Sequence, residues 1–306
     1  MTLSPASEGS WERNGRSMSA AAVLGLLLVG VVYFHAQILL VVAAMGLQHL
    51  HSGSQPAPAN FDDKFYLAMR NQVGAVRLAL VVSQYCFMLL PTWWLVKRWH
   101  TSNVGQYVRL CKSSVPEVAL AIITTVAILP ACNYLANEFT QRLRLPENLT
   151  RFMVEIFTAH SFSEFLLLVF VVAVTPAICE EFFFRGYVQR TLERTIHGKS
   201  AWLVGVFFGL FHLQPLGLIS LVLLGVIFGY FFYRSRSLLP SIVAHFTNNF
   251  IAIWLMYRAP RLGEVDLGAT EQIPLSWVLV SLPIVAACLV LYHRLTAGNF
   301  STRARV

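Results

Sequence analysis

Eight long apolar blocks constrain the fold of this 306-residue chain more than any other feature. A helix needs about 20 consecutive apolar residues to cross a bilayer, and it satisfies its own backbone polar groups there. The blocks cover approximately residues 20–46, 73–99, 115–136, 162–184, 201–213, 216–233, 238–257 and 275–292. We therefore predict an all-α, polytopic membrane protein with about eight transmembrane helices. The fifth block is short, so it is either a half-helix or continues past Pro215.

The charged residues support this interpretation. They make up 12% of the chain, about half of what a soluble domain carries. The net charge of +8 could indicate a nucleic-acid-binding protein, but the Lys and Arg residues lie in short loops. If the N-terminus is cytosolic, 14 of them fall on the cytosolic side and 7 on the other. This bias predicts that both termini are cytosolic, and it argues against a nucleic-acid partner.

Two adjacent carboxylates, Glu180 and Glu181, lie in the apolar run that ends the fourth block. Ionisable residues within a membrane are costly, so by default they indicate a functional site. Neighbouring residues on a helix point about 100° apart, so the two carboxylates cannot have the same role. Glu181 can pair with Arg185 at i,i+4, which leaves Glu180 without a local partner. The alternative is that both side chains snorkel from an interfacial helix end.

The fifth block contains a histidine on a face suited to close helix packing. Gly205 and Gly209 form a small-xxx-small pair, which allows another helix to approach. His212 follows Gly209 on the same face, and Phe208 can shield it from lipid. The alternative is a hydrogen-bonded histidine that serves only packing.

The seventh block carries a polar stripe. Ser241, His245 and Asn249 stand at i, i+4 and i+8, so they share one helix face, and Asn248 is close to it. The alternative is a stripe of hydrogen bonds between helices, and for Ser241 we favour that interpretation.

Together these residues have the chemistry of general-base amide hydrolysis. Glu180 can accept a proton from water, and a neutral histidine can orient that water. His245 and Asn249 can donate hydrogen bonds to a developing oxyanion. Intramembrane Glu and His also serve proton relays, so a transporter is a competing prediction. We find no inverted repeat, which would favour a transporter.

Three short motifs in order resemble the CPBP family, which contains CAAX prenyl endopeptidases, bacteriocin-processing and immunity-linked proteins, and abortive-infection proteins. They are Glu-Glu-x-x-x-Arg from Glu180, Phe-x-x-x-His from Phe208 and His-x-x-x-Asn from His245. Each is weak alone, whereas the ordered set is specific. The motif-bearing region covers roughly residues 162–257.

The resemblance implies an intramembrane endopeptidase that cuts a membrane-associated protein or peptide. It implies that Glu180 activates water, that His212 helps to hold it, and that His245 and Asn249 form the oxyanion site. Glu181, Arg185 and Phe208 would be structural support. The alternative is a non-hydrolytic scaffold, transporter or immunity protein that retains the family fold.

The resemblance leaves zinc open, because the family is described both as metal-dependent and as glutamate peptidases. A bound Zn²⁺ would have Glu180, His212 and His245 as ligands, all of which are residue types that zinc accepts. However, no His-Glu-x-x-His occurs in the chain. A water held by Glu180 and His212 suffices for the chemistry, so we favour a metal-independent mechanism.

These inferences give four regions. We predict a disordered cytosolic N-terminus (1–19), scaffold transmembrane helices (20–160) and catalytic transmembrane helices (161–258). The rest (259–306) is a loop, a final transmembrane helix and a tail. We predict a multi-pass protein of a prokaryotic plasma membrane, with the bilayer and the substrate as its partners. Counting about 1.5 Å per residue from the predicted cytosolic helix ends puts these residues in the cytosolic half of the bilayer or near its midplane. We therefore predict a cavity that is open to the cytosol.

Overall fold

The structure is a computed structural model, and it describes residues 8–51, 72–142, 154–258 and 273–302. Within these ranges the chain is helical without strands, apart from one isolated bridge between Glu8 and Thr101. The main helices are α1 (Met18–His51), α2 (Val73–His100), α3 (Val115–Arg142), α4 (Phe162–Ile196), α5 (Lys199–Phe211), α6 (Leu218–Ser235), α7 (Leu239–Arg258) and α8 (Leu275–Leu295).

Seven of these helices are long and apolar enough to cross a membrane; α5, with 13 residues, is the exception. The prediction of an all-α, polytopic membrane protein is therefore confirmed. Helix α5 does not continue past Pro215, because it ends at Phe211 and a short 3-10 turn, Pro215–Gly217, leads into α6. The fifth block thus forms a short helix that packs on α6.

Helix α4 contains two π-helical stretches. It is π-helical over Val169–Val174 and again over Phe182–Gln189, with the α-helical stretch Thr175–Glu181 between them. Pro176 lies at the start of that stretch, where its missing backbone donor is tolerated after the wider π-turns. π-helical stretches often occur at functional sites, and here they flank both glutamates.

Helices α5 and α6 approach each other at glycines. A Cβ atom on Gly205 would lie 2.6 Å from the backbone nitrogen of Val226, and one on Gly225 would lie 2.8 Å from the carbonyl oxygen of Gly205. Only glycine fits at either position without moving a backbone. This close packing is what the small-xxx-small spacing predicted, and it fixes the helix that ends next to His212.

The N-terminal segment differs from the prediction that residues 1–19 are disordered. Residues 10–13 form a helical turn, and Trp11 is only 8% exposed because its ring packs 4.9 Å from that of Trp99. Gly9 donates a hydrogen bond of 2.7 Å to the carbonyl of His100. Residues 1–7 lie outside the described ranges.

An ionic contact also holds this segment. His100 donates to Glu12 over 2.9 Å, and Arg194 of α4 contacts the same carboxylate. Burial alone would raise the pKa of Glu12, but these two hydrogen bonds outweigh it and keep the pKa below its usual value. Polar composition therefore did not predict the structure of this segment, because its partners come from distant helices.

The predicted catalytic helices contribute to two large apolar cores. One core joins α1, α2, α4 and α5, and the other joins α3, α6, α7 and α8. Helices α1 and α2, predicted to be scaffold, therefore pack directly on the helix that carries both glutamates.

Candidate active site

Glu180 and Glu181 are both buried, with 7% and 0% of their surfaces exposed. Because they leave α4 in different directions, they contact different partners, as their adjacency in the sequence predicted. Neither is at the surface of the bundle, so the alternative of two snorkelling glutamates does not fit their positions.

Glu180 lies opposite His212. Its Oε2 is 3.6 Å from Nε2 of His212. The other ring nitrogen, Nδ1, is 2.7 Å from the carbonyl oxygen of Phe208 and must carry the proton there, because a carbonyl only accepts. In a neutral His212, Nε2 is then an acceptor that faces a second acceptor. A water molecule can donate one hydrogen to each, which is the arrangement that general-base activation requires.

Gln84 of α2 completes the environment of Glu180. Its Nε2 donates to Oε1 of Glu180 over 3.0 Å, and only 5% of the residue is exposed. Sequence reasoning missed this residue, since it is uncharged and lies outside the three motifs. The available signal was a polar amide within the second apolar block. The hydrogen bond holds one carboxylate oxygen and leaves the other facing His212.

Glu181 is part of a buried ionic chain. Its Oε1 accepts hydrogen bonds from Arg185 over 2.7 Å and from Nδ1 of His245 over 2.9 Å. Arg185 also donates to the carbonyl of Gly225 on α6 and lies 4.5 Å above the ring of Phe208. The Glu181–Arg185 pair therefore connects α4 to α5, α6 and α7, which fits its predicted structural role.

His245 is oriented by Glu181 rather than by Glu180. Its ring stacks on Phe228 at 5.4 Å and meets the edge of Phe208 at 5.7 Å. Since a carboxylate only accepts, Nδ1 of His245 carries a proton. Its Nε2 can donate a second hydrogen bond only when the imidazole is doubly protonated.

The remaining members of the polar stripe have separate roles. Asn249 donates to the carbonyl of Val172 over 2.8 Å and accepts from Asn248 over 2.8 Å. The second amide hydrogen of Asn249 has no partner in the described part of the chain. Ser241 donates to the carbonyl of Leu238 over 2.9 Å, three residues back along the chain, so its hydrogen bond is local and does not join two helices, whereas the interpretation favoured from the sequence required a bond between helices.

The alternative zinc site does not fit this geometry. Among the described residues, no three His, Cys, Asp or Glu side chains are placed to hold a metal ion. Glu180 is grouped with His212, whereas His245 is grouped with Glu181. The three predicted ligands, Glu180, His212 and His245, are therefore not arranged around one metal position.

A cavity of about 460 Å³ leads to His212. Residues 33–42 of α1 line one side, and Phe211, His212 and Leu213 line the other. These residues lie around the middle and in the second half of α1, and the predicted opening to the cytosol stays a prediction. The cavity is mostly apolar, and it lies between α1 and the end of α5.

Comparison with known families agrees with the motifs. The model of the Rce1-like family, type II CAAX prenyl endopeptidases, matches residues 162–251. This region contains every site residue predicted from the sequence, and it confirms the resemblance to the CPBP family over α4 to α7. At the family level the region is similar to CAAX-type intramembrane proteases. No curated protein and no solved structure matches the chain.

Proposed function

We propose that this protein is an intramembrane endopeptidase that hydrolyses a peptide bond of a membrane-associated protein or peptide. One observation carries the proposal: Glu180, held by Gln84 at one oxygen, faces Nε2 of His212 across 3.6 Å. Two fixed acceptors at this separation suit one water molecule, and the cavity beside His212 gives the substrate a route to it.

In the proposed reaction, Glu180 takes a proton from the water while the water oxygen bonds to the substrate carbonyl carbon. The resulting tetrahedral oxyanion accepts hydrogen bonds from the doubly protonated His245 and from the second amide hydrogen of Asn249. Glu180 then returns its proton to the leaving nitrogen as the peptide bond breaks. Each step uses only groups of this chain, the substrate and one water molecule.

The test compares membrane proteomes from cells that express the wild type or Glu180→Gln. Glutamine keeps the shape of Glu180 and can still accept from Gln84, so protein abundance should stay normal. A membrane protein that is cut in the wild type should accumulate uncut in the variant. If Glu180→Gln retained both the wild-type phenotype and the wild-type proteome, a non-hydrolytic scaffold would replace the proposal.

A chelator experiment tests the metal-independent form of this mechanism. We expect the purified protein to cleave its substrate equally well before and after treatment with a chelator. Stoichiometric zinc, together with activity that chelation removes and metal restores, would contradict it while leaving the assignment of an endopeptidase intact.

A further inference from the structure

A second charged cluster lies where α4 ends, away from the predicted catalytic residues. We call it the arginine cluster: Arg109 from the turn before α3, Arg190 from α4 and Arg236 from the turn between α6 and α7. Glu193 accepts from Arg109 over 2.5 Å and from Arg236 over 3.2 Å. No other acidic side chain in the described ranges pairs with these guanidinium groups, so three positive charges share one carboxylate.

The arginine cluster has unused hydrogen-bond donors. Nη1 of Arg109 and the Nε atoms of Arg190 and Arg236 are buried without a partner among the described residues. Arg109 is only 8% exposed. A buried donor without an acceptor, and a buried charge without a counter-charge, are both costly. The three donors therefore indicate an acceptor that carries negative charge.

Aromatic rings hold the three side chains in place. Arg109 lies 4.8 Å from the ring centre of Phe232, and Arg190 lies 5.9 Å from that of Tyr107. Arg236 lies 5.0 Å from that of Phe300. Cation–π contacts of this kind fix a guanidinium group before a ligand arrives, so less side-chain freedom is lost on binding.

The backbone supports the same arrangement. Arg109 and Arg236 both have φ of +57°, a left-handed conformation that residues other than glycine seldom adopt. Two hydrogen bonds join the two turns: Leu238 donates to the carbonyl of Arg109 over 2.9 Å, and Ser237 donates to that of Cys111 over 2.7 Å. The fold thus maintains an unfavourable backbone conformation at the two arginines that converge on Glu193.

We propose that the arginine cluster binds a phosphate group. Its excess of two positive charges suits a phosphate, and guanidinium forks match the oxygen geometry of phosphate. The site can be reached, since the side chain of Arg236 is 18% exposed. A phosphate group could belong to an anionic lipid headgroup, as in other basic pockets between membrane helices, or to a free ion. The proposal does not depend on the proposed hydrolysis.

The test measures the thermal stability of the purified full-length protein in detergent. Inorganic phosphate is added in one arm and phosphatidylglycerol in another. Sodium acetate of equal ionic strength and diacylglycerol, which lacks phosphate, are the respective controls. The test variant is Arg190→Gln, which leaves the pairing of Glu193 with Arg109 and Arg236 in place. Its matched control is Arg98→Gln, which removes an exposed charge outside the cluster.

We expect a phosphate-bearing additive to stabilise the wild type and Arg98→Gln, and Arg190→Gln to bind it about tenfold more weakly. Stabilisation by both additives would identify the phosphate group itself as the ligand. Stabilisation by phosphatidylglycerol alone would identify the lipid headgroup, and both results support the proposal. Three outcomes would overturn the proposal. They are no stabilisation of the wild type, equal stabilisation by the matching control additive, and an unchanged response in Arg190→Gln.

A second variant keeps the proposal testable if Arg190→Gln does not fold. Glu193→Gln removes the one carboxylate that competes with phosphate for the cluster. We expect several-fold tighter phosphate binding, together with lower stability in its absence. Unchanged or weaker binding would contradict the charge argument and favour a purely structural ion-pair network.

Discussion

At the scale of single residues, the site depends on two adjacent glutamates with different partners. Glu180 has a neutral amide on one side and a histidine on the other, whereas Glu181 has a guanidinium and an imidazole. The first arrangement leaves a carboxylate oxygen available for water. The second uses the carboxylate to connect helices.

We therefore expect Glu181→Gln to reduce the stability of the protein, and not only its rate of hydrolysis. The change leaves Arg185 as a fully buried cation without its counter-charge. We expect this to lower the free energy of unfolding by about 3–5 kcal/mol. Abundance in membranes and the melting temperature of the purified protein are the measurements. Glu180→Gln is the matched control, with near-normal stability and a rate about 10²–10⁴-fold lower. The opposite pattern would mean that the two roles are exchanged.

Gln84 is predicted to position Glu180. In Gln84→Leu the carboxylate loses its only described amide donor and can rotate away from His212. We expect kcat to fall about tenfold with little change in KM, because one hydrogen bond to a charged group is removed. Gln84→Glu should be more harmful, since two carboxylates would then be adjacent. A wild-type rate in both variants would show that Glu180 is held in place by other contacts.

At the scale of helices, the sequence predicted α4, α5 and α7 as the site-bearing elements for a physical reason. Charged and imidazole side chains are rare in apolar blocks, so Glu180, His212 and His245 were conspicuous. Gln84 was not, because an uncharged amide is a weak signal and its partner is 96 positions away. The partner of His245 was equally unpredictable, since the choice between Glu180 and Glu181 depends on how α7 packs on α4.

The glycine contact between α5 and α6 gives a prediction at this scale. In Gly205→Ala the new methyl group would meet the backbone of Val226, so the helices must separate and His212 moves with α5. We expect a loss of about 1–3 kcal/mol in the free energy of unfolding and a lower cleavage rate. Gly74→Ala in α2 is the control, because nothing lies within 4 Å of its added Cβ. Equal stability of the two variants would contradict the close packing.

The docked N-terminal segment also gives a prediction. The lowered pKa of Glu12 means that its ionic contacts stabilise the segment above the unfolded pKa of 4.5, and that this stability is lost as pH falls through the folded value. We expect Trp11 to become exposed at acidic pH, with a change in its fluorescence. In Glu12→Gln the segment should already be released at neutral pH. A fluorescence signal independent of pH in the wild type would contradict this assignment.

At the scale of the whole molecule, orientation in the membrane remains a prediction from charge. With eight crossings, which require α5 to cross as well, the excess of Lys and Arg in one set of loops predicts that both termini are cytosolic; seven crossings would put them on opposite sides. Reporters fused after residue 306 and within residues 259–272 should then report opposite sides of the membrane. A reporter fused before residue 8 serves as the control and should agree with the first. Identical signals from the first two fusions would contradict a final membrane crossing by α8.

The length of α4 has a consequence for the whole molecule. Its 35 residues extend roughly 52 Å, whereas the hydrocarbon core is about 30 Å thick. The helix must tilt or protrude, and the degree of tilt depends on hydrophobic mismatch with the surrounding lipid. Glu180 moves with α4, while His212 follows the 13-residue helix α5, which is too short to respond in the same way. We therefore expect the acyl-chain length of the lipids in reconstituted bilayers to change the alignment of Glu180 with His212. The rate of cleavage should change with it.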